Sequence, residues 1–185
     1  YGLDKMNKSI DDFINNKEDF KVFELVDGPK IGLYYYNDKW NKCTNKKINA
    51  SESIWHGPNF EVLAEKCFEN FDYSQLDINN CYTFVIQNPA CMNYMKYENN
   101  NLVLISVRDL NPDSKSYLQE IESDLNINQP QSFELDKETI KNNLSSPDSK
   151  QLAGYIVKTQ NQVFRLESEN YLECVRIKGN ERNLK

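Results

Sequence analysis

The chain has 185 residues, 39% hydrophobic and 12% aromatic, enough for one domain with a sizeable core. A net charge of -6 and a pI near 5.0 argue against binding through a broad basic face, though a small cationic groove stays open. No apolar run is long enough to span a membrane, no charged-then-apolar leader is visible, and the single histidine, His56, leaves little for a zinc site or a Ser-His-Asp triad.

The residues from 7 to 16 read as a short polar helix or a loop. Lys21 to Val26 alternates and reads as a strand. Asp27-Gly28-Pro29 is a turn, Ile31 to Tyr36 a second strand, Asn37-Asp38 another turn, and Lys39 to Thr44 a third strand. Together they predict an antiparallel meander. Phe60, Leu63, Ala64, Cys67, Phe68 and Phe71 form one apolar stripe at helical spacing. Cys81 to Gln87 is a strand ended by Pro89, and Leu102 to Val107 a strand buried on both faces. Asn111-Pro112-Asp113-Ser114 predicts a helix start, with Tyr117, Leu118 and Ile121 on its apolar side. Asp136 caps a further helix through Leu144. Tyr155 to Lys158 and Val163 to Glu167 form a hairpin, and a last helix runs from about Ser168 to Lys178, with Gly179 as its stop. Strands with a few helices give an α+β class.

The five cysteines, Cys43, Cys67, Cys81, Cys91 and Cys174, contain no C-x-x-C pair and are odd in number. A reducing compartment, the cytoplasm, is the expectation. Richness in Asn and Lys suggests an AT-rich genome, such as that of a large virus or a protist. The start at Tyr1 rather than methionine suggests a processed or excised piece.

Four segments carry a family resemblance. They are Leu25-Val26-Asp27-Gly28 followed by the tyrosine-rich strand and Lys39-Trp40; Tyr82-Thr83-Phe84-Val85-Ile86 continuing to Tyr97; Leu102 to Asp109; and Ala153-Gly154-Tyr155-Ile156-Val157 followed by Phe164-Arg165-Leu166-Glu167-Ser168 and Tyr171. In this order they resemble the adenylation domain of bacteriophage-type RNA ligases, which are covalent nucleotidyltransferases. The resemblance covers nearly the whole chain. It implies a nucleotidyltransferase-like α+β fold, antiparallel sheets flanked by helices, in one domain over 1–185. The family's opening strands are shortened or missing, and the chain ends where the family's C-terminal extension would begin, so a piece of a longer protein is expected.

The resemblance also implies a chemistry. A lysine amine attacks the α-phosphate, carboxylates on two strands position the sugar and the metal ion, and a lysine pair on the last strand neutralises the triphosphate. Here Leu25 stands at the lysine, Val85 and Ala153 at the carboxylates, and Arg165 and Glu167 at the lysine pair. Strand parity puts Arg165 and Glu167 on one face, opposite Phe164 and Leu166. A carboxylate ~4 Å from a phosphate oxygen costs on the order of 4 kcal/mol at intermediate dielectric. The expectation from these substitutions is no enzyme, no cofactor and no metal.

Two functions follow as expectations. One is an interaction or structural role in a larger assembly, possibly viral, with a protein partner. The other is a module that holds a nucleotide, an RNA 5′ end or a cap. Trp40, Trp55, Arg165, Lys30 and Arg108 are the ligand-binding candidates. Each has a plainer reading: Trp40, Trp55 and Tyr34-Tyr35-Tyr36 as core or partner-facing aromatics, Arg165 as half of an ion pair, Arg108-Asp109 as an ion pair or cap, and Lys30 as a strand lysine reaching to solvent. The Lys42, Lys46, Lys47 cluster reads as a solvated strand edge.

Overall fold

The computed structural model describes residues 6–53, 60–91, 94–147 and 151–178. The elements run α1 (Ile10–Asn15), β1 (Phe20–Glu24), β2 (Lys30–Tyr36), β3 (Lys39–Cys43), α2 (Phe60–Phe68), β4 (Asn80–Gln87), β5 (Asn101–Asp109), β6 (Glu120–Ile121), β7 (Ser132–Phe133), α3 (Lys137–Ser145), β8 (Gly154–Thr159), β9 (Val163–Glu167) and α4 (Glu169–Lys178). They belong to two compact units: a terminal unit of Tyr1–Asp27 with Pro130–Lys185, and a central unit of Gly28–Gln129.

In the terminal unit the sheet order is β7-β1-β8-β9, antiparallel throughout. Alternation along β1, β8 and β9 sends Val22, Tyr155, Val157, Phe164 and Leu166 to one face, where Phe13 of α1 and Ile140 and Leu144 of α3 complete a core. Each such aliphatic or Phe side chain contributes roughly 1.5–3 kcal/mol by leaving water. Asp136 caps α3 as its spacing predicts, accepting from the Thr139 amide at 2.7 Å. The Lys137 ammonium closes the end of α1, donating to the carbonyls of Ile14 (2.9 Å) and Asn16. The open edge of β9 is partly covered by Asn7, whose N–H donates to the Val163 carbonyl (3.0 Å) and whose carbonyl accepts from the Arg165 amide (2.9 Å).

The central unit carries the sheet β3-β2-β4-β5-β6. Asn37 and Asp38 both have positive φ, 51° and 57°, which gives the β2–β3 hairpin a turn twisted to match its strands. The apolar face of α2 lies on this sheet, burying Phe60, Leu63, Ala64 and Phe68 against Ile31, Leu33, Phe84 and Leu104. The helix stops at Phe68, short of the predicted stripe, yet Phe71 still packs edge-on against Phe68 and Phe84.

Two expectations are corrected. The predicted three-strand meander does not form: β2 pairs with β3 and β4, while β1 pairs with β8 and β7 in the other sheet. Alternation identifies a strand but carries no information on its neighbours, and Asp27-Gly28 marks the change of sheet. The predicted helix after Asn111 is absent as well. Its polar groups bond back to the end of β5 instead: Asp109 accepts from the Asn111 amide (2.8 Å) and the Ser116 hydroxyl (2.6 Å), and the Leu118 amide donates to the Asp109 carbonyl (2.7 Å). Leu118 sits at φ 62°, outside helical geometry, and Ile121 joins β6.

Candidate functional site

Four of the five motif positions, Leu25, Ala153, Arg165 and Glu167, lie in the terminal unit, and Val85 lies in the central one. Leu25 follows β1 and is 5% exposed; its amide donates to the Gly154 carbonyl at 3.0 Å. Gly154 opens β8 opposite Glu167 of β9. Its φ is +148°, and a Cβ there would stand 2.1 Å from the Leu166 carbonyl oxygen, so only glycine fits. Ala153 is buried, and its carbonyl accepts from the Ser168 amide at 3.0 Å.

Ser168 is fully buried and joins the strand ends to α4. Its hydroxyl donates to the Leu152 carbonyl (2.6 Å) and accepts from the Tyr171 amide (3.2 Å). The Tyr171 hydroxyl in turn donates to Asp27 Oδ1 at 3.1 Å. Burial, with the Asp27 charge beside it, pushes the Tyr171 phenol up to about 12. The Leu25-to-Asp27 turn, the start of β8 and the start of α4 are therefore held in one hydrogen-bonded arrangement.

Arg165 and Glu167 share a face of β9, as strand parity requires, and they are ion-paired. Arg165 Nε donates to Glu167 Oε1 at 2.9 Å, and a terminal guanidinium nitrogen (Nη2) lies 2.8 Å from the same oxygen. Glu167 Oε2 is 3.9 Å from the Lys8 ammonium. Of the two readings open for Arg165, the ion pair is the one observed. Lys8 carries no sequence signal for this place: it is 159 positions from Glu167 and arrives only because Asn7 pairs with β9.

The other candidates are scattered. Val85 of β4 is buried, opposite Lys30 of β2 on one side and Val103 of β5 on the other. Trp40 on β3 is half-buried among Tyr35, Tyr73 and Tyr82, with ring centroids 5.3, 6.4 and 6.0 Å away, so it behaves as a core aromatic. Arg108 donates to the Leu118 carbonyl at 3.2 Å, which makes it part of the Asp109 turn. Lys42 pairs with Glu65 at 2.6 Å and lies over the Phe68 ring, and Lys47 pairs with Glu52, so two of the three lysines of the basic cluster are neutralised. Trp55 and His56 fall outside the described residues. A cavity of about 660 Å³ in the central unit is lined by amides, among them Asn70, Asn100, Asn101 and Asn128, and by none of the candidate residues.

Four of the cysteine thiols, Cys43, Cys67, Cys81 and Cys91, are pushed up by burial, Cys81 and Cys91 to about 11, which suits inert structural thiols. Among the described residues no group of three or more His, Cys, Asp or Glu is arranged to hold a metal ion. No described helix is long and apolar enough to cross a membrane.

No family model and no curated protein sequence matches the chain. Solved structures do. An RNA ligase of Naegleria gruberi with PPi superposes with a TM-score of 0.59 at 14% identity, over 96% of this chain and 58% of that one. A variant of that ligase with ATP and Mn gives 0.58 at 14%, over 95% and 58%. An archaeal ATP-dependent RNA ligase gives 0.62 at 9%, over 92% and 49%. The chain thus spans 49% to 58% of the length of these proteins. The expectation that it is no enzyme is overturned by this finding, because the solved structures that share its fold are RNA ligases. At these identities the likeness shows the fold, and that fold is the α+β, two-sheet nucleotidyltransferase-like architecture of ATP-dependent RNA ligases.

Proposed function

We propose that this chain is the nucleotide-engaging domain of an RNA-ligase-type enzyme, and that it meets the phosphate of a nucleotide or of an RNA 5′ end at Arg165 in the terminal unit. The observation that carries the reading is the likeness of nearly the whole chain to RNA ligases, one solved with PPi and a variant of it with ATP and Mn. Local chemistry supports it. Arg165 and Lys8 put two cations beside a rigid strand end, and a phosphate there would compete for them with the Glu167 carboxylate that pairs with both. Residue 25 has no amine, so a covalent nucleotidyl-lysine intermediate in this enzyme forms on a different lysine.

The test has two readouts. A nucleotide or 5′-phosphorylated RNA at ten times its Kd stabilises the fold by about 1.4 kcal/mol and raises the Tm by a few degrees. Incubation with α-labelled ATP or GTP and Mg²⁺ or Mn²⁺ leaves label on the protein, which peptide mapping assigns to a lysine. An unchanged Tm across millimolar nucleotides and short RNAs, with no label retained, refutes the reading.

Work within a larger assembly is a second reading, compatible with the first. Its motivation is the exposure of Leu172, Val175 and Ile177 on the short helix α4. Concentration-dependent association of the purified chain, reduced by Val175→Lys, supports it; a monomer at every concentration that captures no partner opposes it.

A further inference from the structure

The cavity of about 660 Å³ lies wholly within the central unit and takes no part in the function proposed above. Its volume is that of a small-molecule site, about 300–1,000 Å³, but such sites are mostly apolar with a few polar groups. Here the balance is reversed. Leu102 of β5, Ile127 and Phe71 supply the apolar part. Phe71 is fixed by Phe68, Tyr73 and Phe84, whose ring centroids lie 5.2, 5.0 and 5.6 Å from its own. Six carboxamides line the rest, brought together from residues 70–75, 100–101 and 126–128.

Bonds within the protein orient several of these amides and leave part of their capacity unspent. Asn128 Nδ2 donates to Asn101 Oδ1 (2.7 Å) and Asn101 Nδ2 to Gln87 Oε1 (2.9 Å), so Asn128 Oδ1 remains an acceptor. Asn100 Oδ1 accepts from Nδ2 of the buried Asn88 (2.9 Å), so the Asn100 amino group remains a donor. Gln75 Nε2 donates to the Asp72 carbonyl (2.9 Å), which leaves Gln75 Oε1. Asp72 Oδ1 takes the Ser74 amide (2.9 Å) and hydroxyl (2.6 Å), which leaves Asp72 Oδ2. The side chains of Asn70 and Asn126 bond to nothing among the described residues.

The charged lining residues are Lys66, Glu69 and Asp72, one cation against two carboxylates, which disfavours a polyanion. A ligand of donors only, such as a polyamine, would leave the Asn100 amino group and the Lys66 ammonium unmet. Hydroxyl groups give and accept hydrogen bonds at once and satisfy both kinds of lining group. The C–H face of a sugar ring would pack on Phe71 and Leu102. We propose that this cavity is a binding site for a neutral, hydroxyl-rich ligand, a short oligosaccharide, held by amides that the fold has already oriented. The inference is independent of the phosphate reading, since none of the cavity's residues belongs to the terminal unit.

The experiment titrates maltotriose, cellotriose, chitotriose and mannotriose into the ¹⁵N-labelled full chain and follows its side-chain amide resonances by NMR, each assigned from the Asn→Ala variant that removes it. At least one trisaccharide is expected to shift the Asn100, Asn126 and Asn128 resonances, with a Kd on the order of 1 mM once desolvation and ordering are met. Asn70→Ala and Asn126→Ala remove no bond of the fold, and each is expected to weaken that binding by about fivefold, the loss of one hydrogen bond, at unchanged Tm. Spermidine and a short single-stranded RNA are the comparison ligands. Resonances that stay still with all the trisaccharides up to about 20 mM overturn the proposal. Tighter binding of spermidine or of the RNA at the same amides overturns it too, as does a saccharide affinity that neither variant changes. Should one variant fail to fold, the wild-type shifts and the other variant decide.

Discussion

Gly154→Ala tests the strand-end arrangement directly. The added Cβ would lie 2.1 Å from the Leu166 carbonyl oxygen and 2.9 Å from the Glu167 Cα, and the φ of +148° is one that side-chain-bearing residues rarely adopt. The backbone conformation alone costs about 1–3 kcal/mol. The neighbours are backbone atoms of β9, so relief requires β8 and β9 to separate, at about 1 kcal/mol for each ladder hydrogen bond lost. The total is roughly 3–5 kcal/mol, and at about 2–4 °C per kcal/mol for a chain of this size the Tm falls by roughly 6–20 °C. Urea unfolding followed by circular dichroism measures the loss. Gly32→Ala is the internal comparison. Its Cβ would meet the Cys43 Sγ at 2.6 Å, the end of a side chain rather than a backbone atom, and its φ is not positive. It is expected to cost about 1 kcal/mol, and less in a Cys43→Ala background, because the clash is then gone. A Gly154→Ala variant within about 0.5 kcal/mol of wild type, or one milder than Gly32→Ala, refutes the reasoning.

Asp38→Gly converts the hairpin turn to Asn-Gly and removes the cost of a positive φ at position 38; a gain of about 0.5–1 kcal/mol in the urea midpoint is expected. Thiol labelling of the native chain at mildly alkaline pH should modify Cys174 first, because it is exposed while burial raises the other four thiols; fast reaction at Cys81 or Cys91 would contradict this. The Tyr171 phenol titrates near 10 when unfolded and about 12 when folded, so between those values the folded chain binds more protons. Stability contributed by this group is therefore complete below pH 10 and lost as pH rises toward 12. Tyr171→Phe should lower stability by about 1 kcal/mol at neutral pH through the lost hydrogen bond to Asp27 and flatten the alkaline decline; an unchanged slope argues against the burial of this phenol.

Most of the helices and strands were legible because their signals are local. Asp136 with Leu144 marked α3, the two short runs Tyr155 to Lys158 and Val163 to Glu167 marked the β8–β9 hairpin, and the Asn37-Asp38 pair marked the β2–β3 turn. Two-residue strands such as β7 were not legible, since Ser132-Phe133 has no periodicity to read and becomes a strand only by pairing with β1. The helix expected after Asn111 failed where side-chain bonds to Asp109 outcompeted a weak apolar pattern. The inference from the five substituted positions Leu25, Val85, Ala153, Arg165 and Glu167, that the chain is no enzyme, failed differently. Those substitutions report on single side chains, whereas the fold as a whole is one that RNA ligases share.

The amino-acid order by itself determined the period of each segment, the caps and turns, and the shared face of Arg165 and Glu167, because parity along a strand is a property of adjacent residues. Tertiary structure decided which sheet β1 joined, that Lys8 came to stand beside Glu167, and that Tyr171 bound Asp27. Those outcomes depend on contacts between residues more than a hundred positions apart, and they are settled by which apolar faces can bury one another, about which a local pattern says nothing.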